Sequence, residues 1–196
     1  DVRVPYEVGG LRQTVSDTVG VGGVMKGLRT IPAMLDIARD MERLCPRALL
    51  LNYTNPMSMI MWAISEATSI ASIGLCHSVQ NTARELAGYM GIDLDTLTYH
   101  VAGINHMAWF LKLEQDGKDL YPTLRACLDD EETVAKDPVR FDIYRHFGMF
   151  VTESSRHMAE YVPYYMRDDA ELARVNVPPR TGEQMAGPNE ARPKRP

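Results

Sequence analysis

Two short apolar runs, ALLLNY at residues 48–53 and SIASIGL at 69–75, constrain what this chain can fold into more than any other feature. Each is continuous rather than alternating, so each predicts a strand buried on both faces. Between them MSMIMWAISEA reads as a helix opened by Pro56, after the turn TNP. Strand, helix and strand with short links predict parallel pairing and an α/β sheet. The stretch that follows, SVQNTARELAGYM, reads as a second helix with Ser78 as its cap.

Upstream, GVMKGLRT and PAMLDIARDMERL place Val24, Leu28, Ile31, Leu35, Ala38 and Met41 at three- and four-residue steps. This predicts a helix pair, or one helix bent at Pro32. After Gly91 the texture changes: LTYHVAGIN and HMAWFLKLE are rich in β-branched and aromatic residues, and the second ends at the turn signal QDGK. An antiparallel sheet is expected there. From Tyr121 to about Arg167 the pattern is helical again, and TGEQMAGPNEARPKRP, residues 181–196, reads as a disordered end.

The chain has 196 residues, 45% of them hydrophobic, enough for one sizeable core. Its 26 acidic residues against 21 basic ones provide no field for nucleic acid or an anionic membrane surface, so neither is expected as a partner. Three widely spaced cysteines, with no signal-peptide pattern and no apolar run near 18 residues, point to free thiols in a reducing cytoplasm. Because the first residue is Asp1 rather than Met, the chain is expected to be a piece of something longer.

In open α/β sheets, ligands bind beyond the carboxyl ends of the strands. Two groups fall there, Asn52–Pro56 after the first strand and Cys76–His77 after the second, and they are expected to be neighbours in space. Cys76 precedes a helix N-terminus, whose partial charge favours thiolate, the form that ligates metals or attacks electrophiles. A free cysteine can equally be a small buried hydrophobe. GINHMAW sets Asn105 and His106 at the junction of two predicted strands, where Gly103 permits close backbone approach. Such a histidine is either a hydrogen-bonded core residue or, together with Cys76, part of an incomplete coordination shell suited to catalysis.

Five motifs in order, GLRQTVSDTVGVGGVMKGLRTIP, LLLNYTNPMSM, GLCHSVQNTARELAGYMGI, VAGINHMAWFLKLE and VTESSRHMAEYVPYYMR, resemble glycoside hydrolase family 4, and within it the α-galactosidases that act on melibiose. The resemblance runs from about Gly10 to about Pro179. It implies an α/β fold: residues 1–95 as the C-terminal part of a Rossmann-like doubly wound domain, then residues 96–180 as the start of an α+β substrate domain of lactate/malate dehydrogenase type. It implies a small sugar substrate, NAD and manganese as cofactors, and a homo-oligomer, dimer or tetramer.

The family is the NAD-dependent exception among glycosidases. Its chemistry is oxidation at carbon 3 of the sugar, loss of the carbon 2 proton to a base, departure of the aglycone, addition of water and return of the hydride. By resemblance the metal ligands fall on Cys76 and His106, and Asn55 on a sugar and cofactor contact. His77 falls on the residue that assists the leaving group. The base is a tyrosine, which puts Tyr161 first, Tyr164 second and Tyr165 in reserve. Gly22 and Gly23, with Gly20, fall on a loop facing the cofactor, while Asp17, Asn105, Arg12 and Gln13 fall near the sugar. The Gly-x-Gly fingerprint is absent, so it is expected before Asp1, with the family's C-terminal portion after the chain's end. Two other readings remain at this point, a nicotinamide-dependent 2-hydroxy acid dehydrogenase and a non-catalytic remnant. No cluster in the sequence suggests a phosphate site, which favours an unphosphorylated galactoside.

Overall fold

The computed structural model describes residues 2–178; the expected disordered end at 181–196 lies outside the described residues. The elements in chain order are α1 (Arg3–Gly9), α2 (Gly20–Leu44), β1 (Leu49–Asn52), α3 (Met57–Ala67), β2 (Ala71–Gly74), α4 (Ser78–Met90), β3 (Leu97–Ile104), β4 (Met107–Gln115), β5 (Lys118–Asp119), α5 (Tyr121–Ala126), α6 (Glu131–Lys136), α7 (Pro138–Phe147), β6 (Phe150–Val151), α8 (Ser155–Tyr161) and α9 (Asp169–Arg174). The fold is α/β, with one parallel and one antiparallel sheet.

β1 and β2 pair in parallel, Leu49 opposite Ala71 through Asn52 opposite Gly74, with α3 as the crossover. The expectation that both strands are buried on both faces does not hold. Leu50 packs against Ala38 of α2 and Ile60 and Ile64 of α3, whereas Leu49 and Leu51 are each 56% exposed. Helices cover one face of this pair among the described residues, so side chains alternate between core and surface despite the unbroken apolar run.

α2 is likewise one helix of 25 residues, with Pro32 in its interior rather than at a break. Proline removes one helical hydrogen bond and crowds the preceding turn, yet Ile31, Met34, Leu35 and Ala38 on both sides of it bury against α3. Tertiary packing outweighs the local cost.

β3 and β4 form the expected antiparallel hairpin; β5 follows the Asp116–Gly117 turn, and β6 pairs with β4 through Trp109–Val151 and Phe110–Phe150. Phe110, Leu113 and Phe150 close a core with Leu86 of α4 and Phe141 and Tyr144 of α7. A second core joins Val139 and Ile143 of α7 to Met158 and Ala159 of α8 and to Tyr165. These two cores bring the ends of β2, the β3–β4 turn, β6 and α8 toward one hollow.

Candidate active site

Leu75 N donates to Asn52 O at 2.8 Å, extending the parallel ladder by one bond and holding the two strand ends side by side. Tyr53, Asn55, Cys76 and His77 therefore line one cavity of about 320 Å3, as the strand-end argument requires. Ser78 does not cap α4: it is the first helical residue, His77 stands before it, and no side chain caps the helix. Its hydroxyl is occupied elsewhere, lying 2.8 Å from Cys76 Sγ and donating to Glu153 Oε1.

His106 occupies the β3–β4 turn with φ 64°, in the left-handed region, which swings its ring back toward the strand ends. Three residues earlier in the hairpin Gly103 has φ 139°, and a Cβ there would meet Met107 O at 2.4 Å, so only glycine lets the two strands approach so closely. The ring is buried, stacks on Tyr161 at 5.9 Å and meets His157 edge-on at 5.4 Å. Ligand atoms of Cys76, His106 and Glu153 all lie within 4.8 Å of one another. A thiolate, an imidazole and a carboxylate gathered in this way make a donor set that fits a divalent transition metal.

A second layer surrounds His106. Thr18 Oγ1 is 2.6 Å from His106 Nδ1, and the Tyr161 hydroxyl is 3.1 Å from the same nitrogen. Asp17 Oδ1 accepts from Thr18 at 2.8 Å and from Tyr161 at 3.2 Å, while its Oδ2 accepts from Asn55 Nδ2 at 3.0 Å. The loop bearing Asp17 and Thr18 is clamped to α8 by Glu160, whose carboxylate accepts from the backbone of Thr14, Val15 and Ser16 at 2.6, 2.6 and 2.8 Å.

The electrostatics follow from this crowding. Burial pushes the Cys76 thiol up, but its hydrogen bond with His106, then those with the side chain and backbone of Ser78, outweigh it and lower the thiol to about 7. Burial opposes the charge on His106, yet its hydrogen bond with Cys76 and the Glu153 carboxylate raise it. For Asp17 too burial is outweighed, by hydrogen bonds from Thr18 and Asn55, and the carboxyl sits below its usual range. His157 is lowered by burial, against the pull of Glu153 3.2 Å away. Tyr161 is pushed up by burial and by the Asp17, Glu153 and Glu160 carboxylates, with the Thr18 hydrogen bond opposing.

Not every expected residue reaches this cluster. Tyr164 is half exposed, lies edge-on to Tyr165 and lines a separate hollow with Phe147 and Arg174, because α8 ends at Tyr161. Tyr165 is buried in the second core and donates to Asp142 Oδ2 at 3.0 Å. Arg12 pairs with Asp169 at 2.9 Å, outside the Cys76 cavity, and Gln13 is buried, accepting from Ser16 at 3.2 Å. Gly22 and Gly23 do not form an open cradle. Cβ atoms there would fall 1.7 Å from Ser16 Oγ and 2.5 Å from the Thr18 carbonyl carbon, so the missing side chains let the 13–18 loop lie on α2. His77 sits at the cavity mouth with its ring 5.1 Å from Tyr53, and Asn105 keeps its Oδ1 buried without a hydrogen-bond partner.

Sequence comparison meets this geometry from the other side. Residues 1–92 match the profile described as family 4 glycosyl hydrolase, and residues 101–193 match the family 4 glycosyl hydrolase C-terminal domain. The chain belongs to glycosyl hydrolase family 4. As a family 4 chain it is 49% identical to an α-galactosidase of Bacillus subtilis (strain 168) over 168 residues, 85% of this chain and 39% of that protein. The crystal structure of the Bacillus subtilis protein lplD superposes with a TM-score of 0.77 at 30% identity, over 89% of this chain and 45% of that one. A 6-phospho-α-glucosidase from gut microorganisms, crystallised with NAD and Mn2+, shares the fold with a TM-score of 0.63 at 20% identity, over 79% of this chain and 37% of that one. The chain thus spans less than half the length of each. Family 4 membership sets aside the 2-hydroxy acid dehydrogenase reading.

Within this cluster Glu153, Thr18 and His157 escaped the sequence reading, which marks Ser78 only as a helix cap. The quoted motifs VTESSRHMAEY and SDTVGVGG contain all but Ser78, which lies in CHSVQ, but no spacing rule links residues 75 or 88 positions apart. The combination of Glu, His and Tyr at one-turn steps in E-S-S-R-H-M-A-E-Y was the available signal, since i, i+4 and i+8 share a helix face.

Proposed function

We propose that the chain acts in the hydrolysis of α-galactosides such as melibiose, by NAD-assisted oxidation at carbon 3, elimination and water addition with a divalent metal, manganese being the first candidate. The observation that carries this reading is the convergence of Cys76, His106 and Glu153 beside the Tyr161 hydroxyl. Family membership and the 49% identity to an α-galactosidase support the choice of sugar. In this reading residues 1–95 belong to a Rossmann-like unit and 96–180 begin the substrate domain. The protein is then a cytoplasmic homo-oligomer, in keeping with free thiols and with no helix among the described residues long and apolar enough to cross a membrane.

Cys76 and His106 would hold the metal, with Glu153 facing the same point. When bound, NAD would accept a hydride reversibly from carbon 3 and the metal would act as a Lewis acid toward the hydroxyls at carbons 2 and 3. Tyr161 takes the carbon 2 proton. Burial, with the Asp17, Glu153 and Glu160 carboxylates, holds the phenol protonated, so the phenolate becomes accessible only where positive charge offsets them. His77 at the mouth is placed to protonate the departing aglycone oxygen. Asn55, fixed by Asp17, and the unpartnered Asn105 Oδ1 orient sugar hydroxyls. Gly22 and Gly23 let the 13–18 loop lie on α2, and in this reading that loop faces the cofactor.

The test is hydrolysis of p-nitrophenyl α-galactoside with manganese, NAD and a thiol reductant, each omitted in turn, alongside Cys76→Ser and Tyr161→Phe. Activity lost on each omission of metal or NAD, and with either variant, is expected. Hydrolysis indifferent to NAD would sink the redox mechanism, and preference for the α-galacturonide would move the sugar assignment.

A further inference from the structure

His106 can ligate a metal through only one ring nitrogen, and which one is decided by what the other bonds. Nδ1 has two near neighbours, Thr18 Oγ1 at 2.6 Å and the Tyr161 hydroxyl at 3.1 Å. A threonine hydroxyl has one proton to give. Thr18 gives its proton to Asp17 Oδ1 at 2.8 Å, and Asp17, which also accepts from Asn55 through Oδ2, acts purely as an acceptor. Toward His106 the Thr18 oxygen then offers a lone pair. The Tyr161 proton has two acceptors besides Nδ1, Asp17 Oδ1 at 3.2 Å and Thr18 Oγ1 at 3.0 Å, which leaves Thr18 as the closest partner of Nδ1.

We propose that Thr18, backed by Asp17, is a positioning residue that holds His106 with its proton on Nδ1 and so presents Nε2 to the metal. The inference rests on the metal centre of the proposed function and adds to it the residue that sets the ligand's tautomer and ring angle. Metal-bound histidines commonly donate their other N–H to a carboxylate or carbonyl; here a hydroxyl is interposed, which makes the carboxylate one bond more remote. The arrangement depends on close packing of the 13–18 loop over α2. Gly23 allows it, since a Cβ at that position would strike the Thr18 backbone. It also ties the base candidate to the ligand: Tyr161 and His106 share Thr18 and Asp17 as partners, so a change in the Asp17–Thr18 pair reaches both.

The test compares the full chain with Thr18→Val, which keeps the shape and removes the acceptor, and Thr18→Ser, which keeps the hydroxyl. Manganese affinity by calorimetry is expected to fall roughly 10- to 100-fold in Thr18→Val and to stay within a few-fold in Thr18→Ser. Long-range 1H–15N spectra of histidine-labelled protein read the tautomer directly. The zinc-loaded wild type should show Nε2 bound and a proton on His106 Nδ1. A bare Nδ1, a metal on Nδ1, or wild-type affinity in Thr18→Val would overturn the proposal. If Cys76→Ser leaves manganese binding unchanged, the metal centre itself fails, whereas binding lost in Cys76→Ser but kept in Thr18→Val overturns the positioning role alone.

Discussion

Cys76 Sγ lies 2.8 Å from the Ser78 hydroxyl, two residues along the chain and just inside the first turn of α4. Ser78 in turn donates to Glu153, so one hydroxyl joins a sulfur after β2 to a carboxylate after β6. The link joins the ends of the parallel and antiparallel sheets and stands beside the His106 hydrogen bond, which does most to lower the thiol.

Cys76 should alkylate with iodoacetamide at a rate that rises with pH to a midpoint near 7, followed by peptide mass spectrometry. His106→Ala, which removes the largest influence that lowers the thiol, should move that midpoint upward. Because the folded thiol is lowered from 9.0 to about 7, its contribution to stability is complete above about pH 9 and is lost as pH falls through about 7. A midpoint that stays near 9 would remove the basis for a poised ligand.

Gly23→Ala should be costly although alanine favours helices. The added carbon meets the Thr18 backbone at 2.5 Å, and backbone yields less readily than a side-chain tip. A loss of about 1–3 kcal/mol in urea unfolding is expected, with weaker manganese binding because Thr18 is displaced. Unchanged stability would show that the loop has room to move.

Arg140 is 2% exposed and pairs with Asp137, with Glu85 at 2.6 Å and with Thr82 Oγ1 at 2.8 Å. Thr82 donates to Thr152 O, next to Glu153, so the network holds that carboxylate against α4. Arg140→Met should destabilise by about 3–5 kcal/mol, since the buried Asp137 loses its countercharge and keeps only the Tyr89 and Ser155 hydroxyls as partners. Adding Asp137→Asn should recover part of that loss; a double variant no better than the single one would refute this account of the cost.

Glu160→Gln should loosen residues 14–18. The carboxylate accepts three backbone N–H groups there, and an amide offers one oxygen and sets its own N–H groups against the rest. Local destabilisation of about 1–3 kcal/mol is expected. Hydrogen exchange should quicken at Thr14 to Thr18 while α4 and β4 stay protected, and uniform exchange would contradict a local clamp.

The parts of the site that were legible in the sequence are those carried by single elements. Asn55 and Cys76 were placed together because parallel strands joined by a short crossover must end side by side, and the β1–β2 register does that. His106 was placed at a turn because Gly103 and the β-rich flanks mark a hairpin, and the ring indeed faces the strand ends. Burial of β1 was misjudged, because an apolar run states what a strand can bury against and not which faces a partner covers. Leu49 and Leu51 show the difference. That Tyr161 rather than Tyr164 lies beside His106 depends on where α8 ends, a boundary that EYVPYYM does not mark.

By itself the sequence determined the order of strands and helices, the crossover that makes β1 and β2 parallel, and the strand-end positions of the cysteine and histidine. These follow from short-range periodicity and turn chemistry, which act over a few residues. Only the tertiary structure decided that Glu153 joins Cys76 and His106, that Thr18 and Asp17 stand behind the histidine, and that Gly22 and Gly23 serve a loop. The first two depend on side chains brought together from distant parts of the chain, Thr18 and His106 being 88 positions apart, where the hydrophobic packing of α4, α7 and α8 sets the geometry and local pattern carries no information.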